Sequence, residues 1–186
     1  MIISFTGAQS TGKTTLLNHL SERNPDITFV PEVTRLIKRE YNLPINEAGN
    51  VMTQMMIMAQ HVKNAYSVEH TNTNVILDRC SVDGLVYTHW LCDQGLDMSA
   101  YSFARTVYEN TVSKYDVIFY TSPEDVVLTD DGERSINNKF REDIIDLFTK
   151  HFRNPQSNLV VLRGTVEERL QIIKNTLKEK GLDINV

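Results

Sequence analysis

Short apolar runs alternate along this chain with longer stretches whose apolar residues recur every three or four positions, a pattern that predicts strands separated by helices. Strands are predicted at 1–5, 27–30, 74–78, 117–120 and 159–162. Helices are predicted at about 12–23, 32–41, 45–69, 82–92, 100–114, 137–152 and 166–180. Short apolar runs alternating with helical patterns favour an α/β fold class, a parallel sheet covered by helices on both faces. No repeat, low-complexity tract or linker divides the pattern, and one domain spanning 1–186 is the economical reading.

One interval departs from the rhythm. Residues 121–138 read TSPEDVVLTDDGERSINN, with Pro, Gly and many charges between the fourth strand and an amphipathic helix. Long irregular segments in compact domains are commonly functional or disordered. A lid over bound phosphates, at about 122–138, is the expectation.

Composition narrows the class. The chain has 186 residues, 41% of them apolar, and no stretch approaches the roughly 20 consecutive apolar residues of a membrane span. No membrane partner is expected. The first strand begins at the first residues with no basic, long-apolar and small-residue sections ahead of it, so a cytoplasmic location is expected. Cys80 and Cys92 form neither a C-x-x-C pair nor part of a histidine cluster, and free buried thiols are expected of them. The histidines, at 19, 61, 70, 89 and 151, show no metal-ligand spacing and read as surface or core residues. A net charge of −5 counts against a broad nucleic-acid-binding face but leaves DNA open as an acceptor. Monomer and homodimer are both compatible with these properties.

The chemistry is concentrated at residues 7–14, GAQSTGKT, which fit the pattern G-x-x-x-x-G-K-[ST] between a buried strand and an amphipathic helix. Gly7, Ala8, Gln9, Ser10, Thr11 and Gly12 would wrap a phosphate with backbone N–H groups at a helix N-terminus, continuing through Lys13, Thr14 and Thr15. Lys13 would reach β- and γ-phosphates as a point charge, and the Thr14 hydroxyl would hold Mg²⁺.

Four further groups bear on the reaction. In VPEVTR, residues 30–35, Glu32 falls at the C-terminal end of the second strand, where open parallel sheets place ligands, and Arg35 follows one helical turn later. Glu32 can accept the proton of an acceptor hydroxyl while Arg35 orients the acceptor; alternatively Glu32 serves the helix dipole and Arg35 is solvated. In NVILDRC, residues 74–80, Asp78 ends a strand in the position of a Walker-B acid that binds Mg²⁺, or else caps the next helix, and Arg79 can face phosphates or acceptor. In DDGERSINNKFR, residues 130–141, Arg134 can close on the transferring phosphoryl group, a contribution worth about 10³ to 10⁵ in rate for arginine fingers. Arg141 is a weaker candidate, balanced by a surface salt bridge. In VMTQMMIMAQHV, residues 51–62, Gln54 or Gln60 can hydrogen-bond a base or amide edge, although an ordinary core helix explains the methionines.

Taken in order, GAQSTGKTT, VPEVTR, LDR and DDGER resemble the small P-loop kinases related to the ribosylnicotinamide kinase domain. DRCSVDGLVY is similar to DR-containing segments of thymidylate and deoxynucleoside kinases, and the Glu32–Arg35 spacing resembles the acid-Arg pair of polynucleotide 5′-kinases. The resemblance implies a three-layer P-loop NTPase fold with strand order 2-3-1-4-5, and ATP and Mg²⁺ as cofactors. It implies Lys13 and Thr14 at the triphosphate and metal, Asp78 at the metal, Glu32 at the acceptor hydroxyl, and Arg35 and Arg79 at acceptor or phosphate. Arg134 would come from the lid, and adenine would rest around residues 163–165.

The function expected from sequence is a kinase that moves the γ-phosphate of ATP to a hydroxyl of a nucleoside, nucleotide or related metabolite. Hydroxymethylated bases or hydroxyl ends in DNA are the alternative acceptors. A P-loop ATPase or GTPase switch is the alternative of another class, although no N-K-x-D base-reading motif is present for GTP.

Overall fold

The computed structural model describes residues 1–71, 74–124, 137–153 and 155–186. Arg134 and most of the expected lid, at 125–136, lie outside the described residues. The elements are β1 (Ile2–Thr6), α1 (Lys13–Arg23), β2 (Thr28–Val30), α2 (Val33–Tyr41), α3 (Val51–Thr71) and β3 (Val75–Asp78). They continue with α4 (Ser81–Asp93), α5 (Met98–Thr111), β4 (Val117–Thr121), α6 (Asn138–His151), β5 (Leu159–Leu162) and α7 (Val166–Glu179).

The strands form a parallel sheet in the order β2-β3-β1-β4-β5. Successive strand side chains point to opposite faces, and both faces are buried. Ile2, Val75, Leu77, Ile118 and Tyr120 pack toward α4 and α6, where Val86, Trp90, Ile144 and Phe148 meet them. Ile3, Phe5, Ile76, Val117 and Phe119 pack toward Leu16 and Leu20 of α1 and Ile173 and Leu177 of α7. This explains why the inner strands β1, β3 and β4 read as largely apolar runs. α3 lies farther out, with Met58 against Leu85, Ala104 and Val107, and Ile57 against Val33 and Ile37 of α2.

One boundary differs from the sequence reading by more than fraying. The helix expected from residue 45 starts at Val51, after a separate 3₁₀ turn at Asn46–Ala48. Asn50 sets the start, its Oδ1 accepting the Thr53 backbone N–H at 2.9 Å, so a side-chain cap interrupts an apolar pattern that otherwise continues. A Cβ on Gly49 would lie 2.7 Å from Gln54 Nε2 and 3.1 Å from the Asn46 carbonyl, so a larger residue there would displace the Gln54 side chain.

The parallel arrangement brings the C-terminal ends of β1, β3 and β4 side by side, with Phe5 beside Asp78 and Thr6 beside Tyr120. β1 is central, and the chain turns to opposite sides of it, which makes this edge the crevice where α/β sheets bind ligands.

Candidate active site

The loop after β1 has left-handed backbone at Gly7 (φ 135°), Ser10 (φ 53°) and Gly12 (φ 86°). A Cβ on Gly7 would come within 2.8 Å of Thr121 Oγ1 and 2.9 Å of its carbonyl, so glycine alone allows the loop to lie against β4. Thr11 Oγ1 joins Thr121 Oγ1 at 2.6 Å and ties the loop to the same strand. α1 begins immediately afterwards at Lys13, directing its N-terminus into the loop.

Lys13 folds over the loop, its Nζ donating to the carbonyls of Gly7 at 2.9 Å and Ala8 at 2.7 Å. Burial, reinforced by the neighbouring Arg79 charge, pushes its pKa from 10.5 down to about 7, against the opposite pull of Asp78, Asp83 and Glu32. Between those values the unfolded chain holds a proton that the folded chain has released, so this group's cost to stability is full below about pH 7 and fades toward pH 10.5. The stability of Lys13→Met relative to the parent is therefore expected to be most favourable near pH 6 and to decline as pH rises through about 7 to 10. Urea unfolding at each pH reads the difference; a difference constant with pH contradicts the burial of a titrating Lys13.

Beside the loop lies a charge network. Arg79, directly after β3, is 6% exposed and has left-handed backbone (φ 76°), an uncommon conformation for a non-glycine residue. Its Nε donates to Glu32 Oε1 at 2.7 Å, and its Nη1 donates to Asp83 Oδ1 at 2.9 Å and to the Gly7 carbonyl at 3.1 Å. Burial opposes its charge, but the surrounding Glu32, Asp83 and Asp78 carboxylates together with Tyr87 raise its pKa well above the ordinary arginine value. Arg35 Nε donates to Glu32 Oε2 at 3.2 Å, so the Glu32 carboxylate is oriented from both sides. Glu32 occupies the N-cap position of α2 without a side-chain capping bond; its oxygens turn to the arginines.

Asp78 stands at the end of β3 with Oδ1 buried and lacking a hydrogen-bond partner among the described residues. Burial, followed by the Glu32 charge, raises its pKa. The helix-cap alternative fails on geometry. α4 starts at Ser81 with Cys80 as N-cap, and Asp83 completes the box by accepting the Cys80 N–H at 3.0 Å.

Glu32, Arg35, Arg79 and Gln54 line one cleft next to the loop, together with Gln9, Asp83, Tyr87, His61 and Phe140. Gln54 is buried, its Oε1 accepting from Thr88 Oγ1 at 3.0 Å. Thr14 and Thr15 are exposed at the start of α1. Arg141 donates to the Gln9 carbonyl at 3.3 Å, which places it in the loop's support. Arg163 lies exposed 3.9 Å from Glu124, and Thr165 caps α7. Both cysteines are free; burial pushes Cys80 up to about 12, which makes it an inert thiol. Among the described residues no group of three His, Cys, Asp or Glu gathers to hold a metal, and no helix is long and apolar enough to cross a membrane.

Two structural residues escaped the sequence reading. Asp83 accepts from Thr6 Oγ1 at 2.7 Å and the Gly7 N–H at 3.3 Å, linking β1, the loop and Arg79. Its signal was the third position of a helix, obscured because a cysteine occupies the cap. Arg169 of α7 is 3% exposed and donates to the carbonyls of Gly164, Thr11 and Ser122 at 2.9, 2.7 and 3.1 Å. It shares a four-residue spacing with buried Ile173 and Leu177, and a charge in an apolar stripe is the sign that could have revealed it.

The sequence profile of the AAA domain family matches residues 2–169. No curated protein sequence matches the chain. Among solved structures, NadR protein in complex with NR superposes with a TM-score of 0.69 at 18% identity, covering 100% of this chain and 53% of that one. NadR in complex with NAD and AMP-PNP gives 0.68 at 17%, covering 100% and 51%. The chain thus spans about half the length of the NadR chains. Deoxyadenosine kinase from M. mycoides, with products dCMP and a flexible dCDP bound, gives 0.69 at 16%, covering 96% of this chain and 100% of that one. At these identities the superpositions speak for the fold, which is that of small nucleoside-kinase-like P-loop proteins, and the profile match across residues 2–169 makes this chain a member of the AAA domain family.

Proposed function

We propose that the protein is an ATP- and Mg²⁺-dependent kinase that transfers the γ-phosphate to a hydroxyl of a nucleoside, nucleotide or related metabolite. The observation that carries this reading is the Glu32 carboxylate, held by Arg79 at 2.7 Å and Arg35 at 3.2 Å in a cleft beside the phosphate loop. The cleft that presents this carboxylate is also lined by Arg35, Gln54 and Phe140, which suits an acceptor larger than the water a hydrolase would activate there. In a kinase the carboxylate aligns the attacking hydroxyl of that acceptor.

In this reading the loop amides and Lys13 hold the triphosphate, with the lysine moving from the Gly7 and Ala8 carbonyls to phosphate oxygens. Asp78, with a buried oxygen that has no partner among the described residues, has the character of a cation ligand, and Thr14 follows Lys13 at the helix start. These two would hold Mg²⁺, which when bound shields phosphate charge. Glu32 receives the hydroxyl hydrogen bond, and Arg35 positions the rest of the acceptor. The hydroxyl oxygen forms the new bond to Pγ as the Pγ–O bond to the β-phosphate breaks; the hydroxyl proton passes to Glu32 and ADP leaves. Arg134, in the segment at 122–138, belongs to the same proposal as a lid group that neutralises the phosphoryl charge. Residues 163–165 would border the adenine.

Glu32→Gln keeps the shape of the side chain and removes its basicity. Because phosphoryl transfer has a loose transition state, the expected loss in kcat is about 10²-fold, at the low end of general-base effects, with ATP affinity retained. Arg35→Ala is expected mainly to raise the acceptor KM. Steady-state kinetics separate the two; an unchanged kcat in Glu32→Gln returns Glu32 to a helix-dipole role.

A further inference from the structure

Two buried polar groups in the cleft lack a partner, and neither side chain has a role in the scheme above. Gln9, within the phosphate loop, is 4% exposed, and its Nε2 makes no hydrogen bond among the described residues. His61 on α3 is 1% exposed, and its Nδ1 is equally unpartnered. Burial lowers the imidazole pKa to about 4, so the ring is neutral near pH 7. Native proteins rarely leave such groups unpaired unless something outside the chain completes them. Both residues line the same cleft as Glu32 and Arg35.

The orientation of the Gln9 amide has a cause. Arg79 has donors only, and its Nη1 lies 3.5 Å from the Tyr87 hydroxyl, which leaves the Tyr87 proton to go to Gln9 Oε1 at 3.0 Å. With Oε1 engaged, the amide presents its NH₂ as the unsatisfied end. Arg141 fixes the other end of the residue through the Gln9 carbonyl. His61 is seated by Gly84 of α4, where a Cβ would meet Met58 Sδ at 2.2 Å and His61 Cδ2 at 3.4 Å. Gly84 and Tyr87 lie three residues apart on the same side of α4, and apolar Leu91 and Phe140 also line the cleft.

We propose that Gln9 and His61 form the recognition subsite for the phosphate acceptor, and that this acceptor is a nucleoside: Gln9 donates to a sugar oxygen near the attacking hydroxyl, and His61 pairs with the polar edge of the heterocycle. The proposal rests on the kinase reading and specifies what enters the cleft beside the loop. Both side chains act on acceptor binding, and the part Gln9 takes in holding the triphosphate is left to its backbone N–H.

The test is calorimetric binding, without turnover, of adenosine, guanosine, cytidine, thymidine and nicotinamide riboside, each titrated into the full chain. At least one is expected to bind the parent protein, and Gln9→Met and His61→Leu are each expected to weaken that nucleoside by about tenfold or more, the scale of a lost hydrogen bond in a site built to make it. Removing an unpaired buried imidazole is also expected to raise the melting temperature of ligand-free His61→Leu by about 2–4 °C. A nucleoside bound equally well by the parent and both variants overturns the subsite. So does a His61→Leu protein that melts lower with unchanged affinity, since His61 is then packing. If no nucleoside binds the parent, the nucleoside assignment is overturned, while phosphoryl transfer to a hydroxyl of another kind would leave the kinase reading standing.

Discussion

Lys13→Ala is expected to lower phosphoryl transfer by about 10³ to 10⁵, the range found when a preorganised cation is removed from a phosphoryl-transfer site, while the protein stays folded. The two expectations have separate grounds. The Lys13 ammonium spends its short hydrogen bonds on the Gly7 and Ala8 carbonyls of its own loop, so little beyond the loop depends on it. Its pKa of about 7 without ligand shows that the folded chain holds this charge at a cost, the strained state of a group awaiting an anionic partner. Lys13→Arg is not expected to rescue activity, because a planar guanidinium does not fit a position closed by two carbonyls at 2.9 and 2.7 Å. Transfer rates with saturating ATP and Mg²⁺, alongside thermal melts, check both halves. Transfer near the parent rate by a folded Lys13→Ala protein contradicts the phosphate-site assignment.

Arg79→Ala is expected to damage stability and activity together. It leaves Glu32 and Asp83 as neighbouring carboxylates without their shared cation, and breaking a buried ion pair by removing one partner costs about 3–5 kcal/mol. Arg79 also braces the loop through the Gly7 carbonyl, so the catalytic geometry goes with the network. Arg79→Lys should recover only a fraction. One ammonium cannot span Glu32 Oε1, Asp83 Oδ1 and the Gly7 carbonyl as the guanidinium does, and left-handed backbone at φ 76° still has to be held. Denaturant unfolding and transfer kinetics on the two variants check this; a fully stable Arg79→Ala protein contradicts the network's structural role.

The fold was legible because its signals are local or repeat along the chain. The inner strands β1, β3 and β4 are buried on both faces and appear as largely apolar runs, the edge strands β2 and β5 are only partly buried, and each predicted strand boundary lies within one residue at either end. The phosphate loop was legible because its chemistry depends on consecutive residues. Glu32 and Arg79 could be singled out from their positions after strands, but their ion pair joins residues 47 positions apart, and no spacing rule announces it. Asp83 was hidden for the same reason, its hydrogen bond to Thr6 crossing 77 positions. His61 read as an ordinary residue in a Met-rich helix, since being buried without a partner is a property of the surroundings. The start of α3 was misplaced because Asn50 stops the helix through one side-chain bond, which weighs little in a pattern of apolar residues.

The central claim is that the cleft beside the loop receives a hydroxyl and the loop delivers a phosphoryl group to it. The most direct measurement incubates the parent protein with γ-labelled ATP and Mg²⁺ against nucleosides, nucleotides, nicotinamide riboside and hydroxymethylated DNA, following label in each acceptor by chromatography and mass spectrometry. The predicted result is a phosphorylated small-molecule acceptor formed in step with ADP and absent with Lys13→Ala. ATP hydrolysed to free phosphate at a rate that no acceptor in the panel changes, with label in none of them, would contradict the kinase account in favour of an ATPase.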